Sequence, residues 1–290
     1  MIFMEEMKVI FRRLALLRTF FYYIEFKILK KRIPNHIRRK NDVAIQKMKR
    51  VYKGKRCFIV GNGPSLKTED LELLKKEITF GSNGIFHLYG RTEWRPTFYF
   101  VQDSIAYHKM LPNADEILST SKAVFTSMNF YNKMPYKFVT HPNTRLLYVR
   151  FVPPKKSRYR FSTELSKCVY EGLSVTYSMI QAAVYMGFTE IYLLGVDHNY
   201  SVEVDANGKL LKQDNTVKNH FYVLKEEKGE MAGYPTKINE ITNAFYSAKE
   251  YAKSHNILIV VSGIFIPGSI DALMRILICS SPIFASTLTP

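Results

Sequence analysis

The chain is short of acid, of cysteine and of long apolar runs, and each shortage removes a class of protein. Its three cysteines, Cys57, Cys168 and Cys279, lie far apart and make no metal-ligand pattern. A reducing compartment, hence the cytoplasm, is expected from so sparse a thiol content. No uninterrupted apolar run approaches the ~18–20 residues that span a bilayer. A secretory leader fits poorly, because Glu5 and Glu6 precede the basic residues and no small-residue cleavage site follows. Internal repeats and a catalytic-triad pattern are also missing. Acids number 25 against 42 Lys and Arg, which gives a formal charge of +17.

That charge is uneven. The first 56 residues hold 17 Lys and Arg against four acids, a net of +13, so the remaining 234 carry only +4. A basic extension, residues 1–50, therefore precedes a nearly neutral domain. Apolar clusters (Val9 to Phe11, Leu14 to Leu17, Phe20 to Ile24) alternate with basic ones (Arg12-Arg13, Lys30 to Arg32) over residues 1 to 33. Two readings stand: a helix lying on an anionic membrane surface, peripheral to the inner membrane, or a helix packed on the domain with a solvated basic face. Pro34 and the polar run to Asn41 are expected to break it. Nothing in the basic run resembles a nucleic-acid-binding module, so no specific nucleic acid is expected.

What the chain does have is a core. Hydrophobic residues make up 47% and aromatics 14%, enough for one large α/β domain or two small ones at 290 residues. The rest is organised around Cys57 to Leu66, where four apolar residues run into Gly61-Asn62-Gly63-Pro64-Ser65. This predicts a buried parallel strand, a tight loop and a helix start. Gly61 and Gly63 tolerate positive φ and let a ligand approach the backbone, Pro64 presets a turn, and Ser65 is placed to cap the helix. Exposed N–H groups would make the loop an anion site; a purely structural strand–helix turn is the alternative. The third glycine of a dinucleotide fingerprint and the Gly-Lys-Ser/Thr of a P-loop are both absent.

Further strands are expected at Ile78 to Phe80, Thr97 to Val101, Val124 to Thr126, Leu146 to Phe151, Ile191 to Leu194 and Ile257 to Val261. Helices are expected over Thr68 to Lys76, from Tyr177 to Gly187, and over Ile238 to Ser254. Gly81 to Gly84 reads as a turn, and Pro153 to Arg160 as a mobile loop. Three strands end in polar residues (Gly61-Asn62, Ser82-Asn83, Gln102-Asp103), and open α/β sheets bind ligands at such ends. Ser174 or Thr176 should stand at a helix start, free to bond a ligand or the backbone. Ile191 to Leu194 stops at Gly195-Val196-Asp197, where Asp197 either serves the site or caps a turn. Residues 201 to 219 are polar, with a turn at Asn207-Gly208, and suggest a flap. The tail from Ser280 is expected to be poorly ordered.

Val60 to Leu66, Glu171-Gly172 and Glu190 to Asp197 occur together in one known family. Over residues 50 to 265 the sequence resembles the 6-hydroxymethylpterin diphosphokinase MptE-like proteins, and in motif order the family 42 bacterial sialyltransferases. The resemblance to the sialyltransferases implies that Asn62, Ser65 and Asn83 hold a nucleotide and that Gly195-Val196-Asp197 closes the donor site. Ser174-Val175-Thr176 stands where that family has Thr-Ser-Gly. By the same resemblance Tyr200 would assist the departing phosphate and His220 would be the base. Asp103 has no counterpart there, and Ile264 to Gly268 departs from the polar MptE-like ending.

Together these readings give a single Rossmann-like α/β domain (residues 51–265) with a mostly parallel sheet, a flap, the basic helical N-terminal extension and a C-terminal tail from residue 266. The leading expectation is a transferase using a nucleotide-sugar donor of CMP-nonulosonic type and a glycan or lipid-linked acceptor, with no cofactor. The alternative is a pterin diphosphokinase using ATP and Mg²⁺, with Asp103 and Asp197 sharing the metal. A non-catalytic nucleotide-binding partner in a glycan assembly complex is the third.

Overall fold

The computed structural model describes residues 31–152, 154–214, 216–222 and 235–262, with Phe20, Ile24, Lys27 and Ile28 before them. Most of the basic N-terminal segment and everything from residue 263 onward lie outside the described residues, so the expectations for both stand where the sequence left them.

Seven parallel strands form one sheet: β1 (Arg56–Val60), β2 (Thr79–Ser82), β3 (Phe98–Val101), β4 (Ala123–Ser127), β5 (Thr144–Leu147), β6 (Glu190–Leu194) and β7 (Leu258–Ser262). Their spatial order is β7-β6-β1-β2-β3-β4-β5. The fold is Rossmann-like α/β. Its sheet is covered on both faces, and the side chains alternate accordingly: Phe98 and Phe100 enter one core, Tyr99 and Val101 the other. Helices α6 (Val175–Met186) and α7 (Ile238–Ser254) cover the first face. On the second face lie α2 (Thr68–Leu73), α3 (Ser104–Met110), α4 (Ala114–Thr120), α5 (Tyr136–Thr140) and a 3₁₀ turn, Asn83–Leu88, while α1 (Asn35–Gln46) runs along the β5 edge with Ile37 in the second core and Ile45 in the first. No helix among the described residues is long and apolar enough to cross a membrane.

Chain order reverses between β1 and β6. From β1 the chain builds outward to β5, then returns to place β6 on the other side of β1. Such a switch point leaves a crevice beyond the carboxyl ends of the two strands, because the connections leave them in opposite directions.

Four expectations change. Pro34 does interrupt the helical residues that end at Arg32, but the run to Asn41 is no part of the break: it opens a new helix, α1, with Pro34 as its N-cap. Ile33, Ile37, Asn41 and Ile45 fall four residues apart on its buried face, which tolerates polar Asn41 because the amide pairs with the edge strand. Asn41 Nδ2 donates to the Leu146 carbonyl at 2.9 Å, and Leu146 N–H donates back to Oδ1 at 2.7 Å. Gly81 and Ser82 are strand, not turn, since Gly81 is in register with Tyr99 and packs against Pro96. The strand expected over Leu146 to Phe151 divides: Val149–Arg150 leaves the main sheet to pair with Val169–Tyr170. Finally, the loop before Arg160 is pinned at its far end. Tyr159 N–H donates to Ser247 Oγ at 2.9 Å, and its hydroxyl bonds Glu240 on α7.

The flap forms a three-stranded sheet of Val202–Val204, Leu210–Gln213 and Thr236–Lys237. Asn41→Ala should cost about 1–3 kcal/mol in urea unfolding, because it strips two buried backbone groups of their partner. An unchanged midpoint would show that α1 is not anchored to β5 in this way.

Candidate active site

β1 and β6 end side by side, and the loops that follow are joined bond by bond. Gly61 N–H donates to the Leu194 carbonyl at 2.7 Å and Gly63 N–H to the Gly195 carbonyl at 2.8 Å. Ser65 donates its N–H (2.8 Å) to Asp197 Oδ2 and its hydroxyl to Oδ1. Such contact needs bare backbone. A Cβ on Gly61 would lie 2.9 Å from the Gly195 carbonyl carbon, and one on Gly63 2.7 Å from the Asp197 Cγ. Gly195 has φ +60°, a conformation that suits glycine.

These bonds correct three expectations. Neither Gly61 nor Gly63 has positive φ; close packing against the Gly195–Asp197 loop requires their glycines instead. Ser65 does not cap the next helix, because α2 begins at Thr68, preceded by Lys67 without a side-chain cap. The amides of Gly61, Gly63 and Ser65 donate to protein acceptors, which the β6 loop supplies at close range, so they are not the open anion cradle expected from the motif.

The positive end of a helix dipole comes from α6. Ser174 is its N-cap and accepts from Thr176 N–H at 3.3 Å. The segment before it is held by Gln181, a fully buried side chain in the middle of the helix. Its Oε1 accepts from Ser162 and Tyr170 N–H at 2.9 and 3.0 Å, and its Nε2 donates to the Tyr170 carbonyl at 2.9 Å. Glu171 follows directly. The N-terminal end of α6 thereby becomes a fixed wall, favourable to an anion.

Amides at the ends of β1, β2 and β3 make another wall. Asn62 Nδ2 donates to the Ser82 carbonyl at 3.0 Å, and Oδ1 is buried without a partner among the described residues. Asn83 (φ +48°) has its carbonyl bonded by the Tyr99 hydroxyl and its Oδ1 unpartnered. Gln102 Nε2 is likewise buried and unpartnered. Asp103 accepts the Ala106 N–H at 2.7 Å and caps α3.

The flap closes the third side. Asn219 Oδ1 accepts from Ser201 N–H at 2.8 Å, and Phe221 N–H donates to the Asn62 carbonyl at 2.9 Å. His220 is therefore tied on both sides, once to the flap and once to the glycine loop. The cavity so enclosed is about 460 Å³. Gly61, Asn62, Gly63, Asn83, Ser174, Thr176, Gly195, Asp197, Tyr200 and His220 all line it, as does Asp103. Ser65 stands behind the wall on Asp197.

Two lining residues have no role assigned to them from the sequence. Burial raises the Glu171 carboxyl above the usual range. Its signal was weak: one carboxylate between a short apolar strand and a small-residue helix. His198 gave no signal beyond following Asp197. The Thr242 hydroxyl donates to the Ile238 carbonyl at 2.9 Å, so its oxygen receives His198 Nε2–H at 2.8 Å. That selects the Nε2–H tautomer of the neutral ring and leaves Nδ1 a buried acceptor with no partner among the described residues. Burial pushes the imidazole down to about 4. Tyr200 moves the other way, to about 12, through burial and the nearby Asp197 and Glu203 carboxylates.

A family model described as 6-hydroxymethylpterin diphosphokinase MptE-like matches residues 32–203. The chain belongs to the MptE-like family. That match takes in the glycine loop, the N-terminal end of α6 and the β6 loop. Among solved structures, the MAf glycosyltransferase from Magnetospirillum magneticum AMB-1 aligns with 14% identity and a TM-score of 0.43. The alignment covers 80% of this chain and 38% of that one, so the chain spans well under half the length of that structure. No curated protein matches the sequence.

Gly63→Ala in this MptE-like protein should destabilise the fold by about 1–3 kcal/mol, as overpacking does. A variant as stable as the parent by urea unfolding would refute the loop contact. His198 makes a separate prediction. The unfolded imidazole takes up a proton near pH 6.5 while the folded one resists until about 4. Stability is therefore fully present above pH 6.5 and falls toward pH 4, by up to about 3 kcal/mol at ~1.4 kcal/mol per unit. His198→Gln should flatten that slope; an equal slope in both proteins would contradict the burial argument.

Proposed function

We propose that the protein is a glycosyltransferase that uses a nucleotide-activated donor of the CMP-nonulosonic acid type. Its acceptor would be a glycan or lipid-linked hydroxyl in surface polysaccharide or glycoconjugate assembly. One observation carries the reading: a single cavity combines unpartnered amides, a helix N-terminus, and an imidazole with a phenol. The edge of a nucleobase offers donors to Asn62 Oδ1 and Asn83 Oδ1 and an acceptor to Gln102 Nε2. The phosphate suits the N-terminal end of α6 with Ser174 and Thr176, where backbone N–H groups and the dipole favour negative charge. Gly61, Gly63, Gly195 and Asp197 keep the floor of the cavity in shape.

In the transfer, His220 takes the proton from the acceptor hydroxyl as that oxygen bonds the anomeric carbon. The bond from that carbon to the phosphate oxygen breaks, and both its electrons leave with the nucleoside monophosphate. Tyr200, whose raised pKa keeps its proton in place at neutral pH, donates a hydrogen bond to the departing phosphate. The basic N-terminal segment would hold the enzyme at an anionic membrane face, near a lipid-linked acceptor.

The family's name points instead to pyrophosphoryl transfer from ATP, which needs a divalent cation. Asp197 and Asp103, the carboxylates that would share Mg²⁺, each already carry a structural bond. Both Asp197 oxygens accept from Ser65, and Asp103 Oδ1 accepts from Ala106. Among the described residues, no group of three or more His, Cys, Asp or Glu is arranged to hold a metal. No step is therefore routed through one.

The discriminating assay follows CMP release from CMP-activated sugars and AMP release from ATP with hydroxymethylpterin, each with and without EDTA. The proposal expects EDTA-resistant CMP release that falls ~10²–10⁴-fold in His220→Ala, with Asp103→Asn mild. EDTA-sensitive AMP release without CMP release would overturn it in favour of the diphosphokinase. Nucleotide binding with no turnover of either donor would leave only the non-catalytic partner.

A further inference from the structure

A second cavity of about 400 Å³ adjoins the first and shares Asn83, Asp103 and His220 with it. Its own wall is aromatic. The hydroxyl end of the Tyr222 ring abuts Gly84, where a Cβ would come within 2.5 Å of a ring carbon. His220 stacks on Tyr222 at 5.1 Å and 8°, and His87 stands 4.7 Å away at 44°, itself against Phe86. Asp103 and Lys109 supply opposite charges at the edge, and half-exposed Ile105 adds an apolar one.

We propose that this second cavity is the acceptor subsite and takes a pyranose ring. The proposal rests on the glycosyltransferase reading above and names where the second substrate of that reaction sits. Three features argue for it. The shared residues include His220, so a ring seated here presents a hydroxyl to the same imidazole that borders the donor cavity. An aromatic face flanked by a carboxylate and an ammonium suits a sugar, which offers a patch of C–H on one face and hydroxyls around its rim. A flat heteroaromatic ring is served less well. The one parallel pair, His220 and Tyr222, is already closed on itself, and His87 is tilted, so no parallel-walled slot is open between rings.

The geometry also couples the two cavities. Phe221, between His220 and Tyr222 in sequence, bonds the Asn62 carbonyl at the end of β1. Acceptor platform, base and glycine loop are therefore linked through three consecutive residues.

The test uses the full chain, with CMP titrated by calorimetry and two ring probes followed by saturation-transfer NMR in the presence of CMP. The probes are methyl β-galactopyranoside and 6-hydroxymethylpterin. Ile105→Trp adds bulk at a half-exposed position and fills the second cavity; Tyr222→Leu removes the platform. The proposal expects galactoside signals in the parent that fall at least tenfold in both variants, with CMP affinity held within about twofold in Ile105→Trp, which lies outside the linked residues 220–222. Galactoside signals that persist in both variants would overturn it, as would the absence of any galactoside signal from a parent that binds CMP. Pterin signals lost in the variants, with none from the sugar, would overturn it in favour of a flat-ring acceptor. Failure of the parent to bind CMP would instead strike the donor reading on which the subsite depends.

Discussion

The contact between the Gly61–Ser65 loop and the Gly195–Asp197 loop is the constraint on which the rest of the site depends. Neighbouring parallel strands, β1 and β6, deliver both loops to the point where chain order reverses, and there the carboxylate of Asp197 takes two hydrogen bonds from Ser65. A buried carboxylate without partners would be costly. Here its partners come from the opposing loop, so the same interaction that satisfies the charge also holds the crevice in one shape. The glycines are consequences of this closeness. They bring backbone against backbone, and the surface left facing the cavity is built from what flanks them.

What flanks them is polar on one side and dipolar on another. The amides of Asn62, Asn83 and Gln102 stand at the carboxyl ends of three successive strands, a periodicity set by the sheet itself. Buried polar atoms without partners carry a desolvation cost that a bound ligand can relieve. The N-terminal end of α6 owes its position to Gln181, which fastens the chain just before Glu171 to the helix it precedes. The flap then brings in His220, tied through its neighbours to Ser201 and to Asn62. A loop so tethered moves with the strand ends rather than independently of them.

Much of this was legible in the sequence, and the reason is local. Apolar runs that stop abruptly at Gly61 and Gly195 identify buried parallel strands and their loops without knowledge of the partner. Helix α7 follows from spacing alone, and spacing also puts Ser174 and Thr176 at a helix start, without deciding which of them caps it. What could not be read was who bonds to whom. The glycine loop looks like an open anion cradle because its acceptors lie more than 130 residues away, on Asp197 and the β6 loop. The polar run to Asn41 looks like part of the break at Pro34 because the pairing of Asn41 with Leu146, which anchors the new helix, spans 105 residues. His198 is a single residue with no spacing to mark it, and Glu171, though part of a family motif, carries no sign of its role. Only the tertiary fold brings them to the cavity wall, and only the Thr242 bond selects a tautomer for His198.

The central claim is that the crevice between β1 and β6 receives a nucleotide whose phosphate meets the N-terminal end of α6. Hydrogen–deuterium exchange of the full chain, with and without CMP, tests it most directly. The account predicts slowed exchange at residues 83–84, 174–178 and 195–200, with β4, β5 and α1 unchanged. The amides of Gly61, Gly63 and Ser65, already bonded within the protein, should change little. Protection centred on those three amides, with none at the start of α6, would contradict it and return the phosphate to the glycine loop.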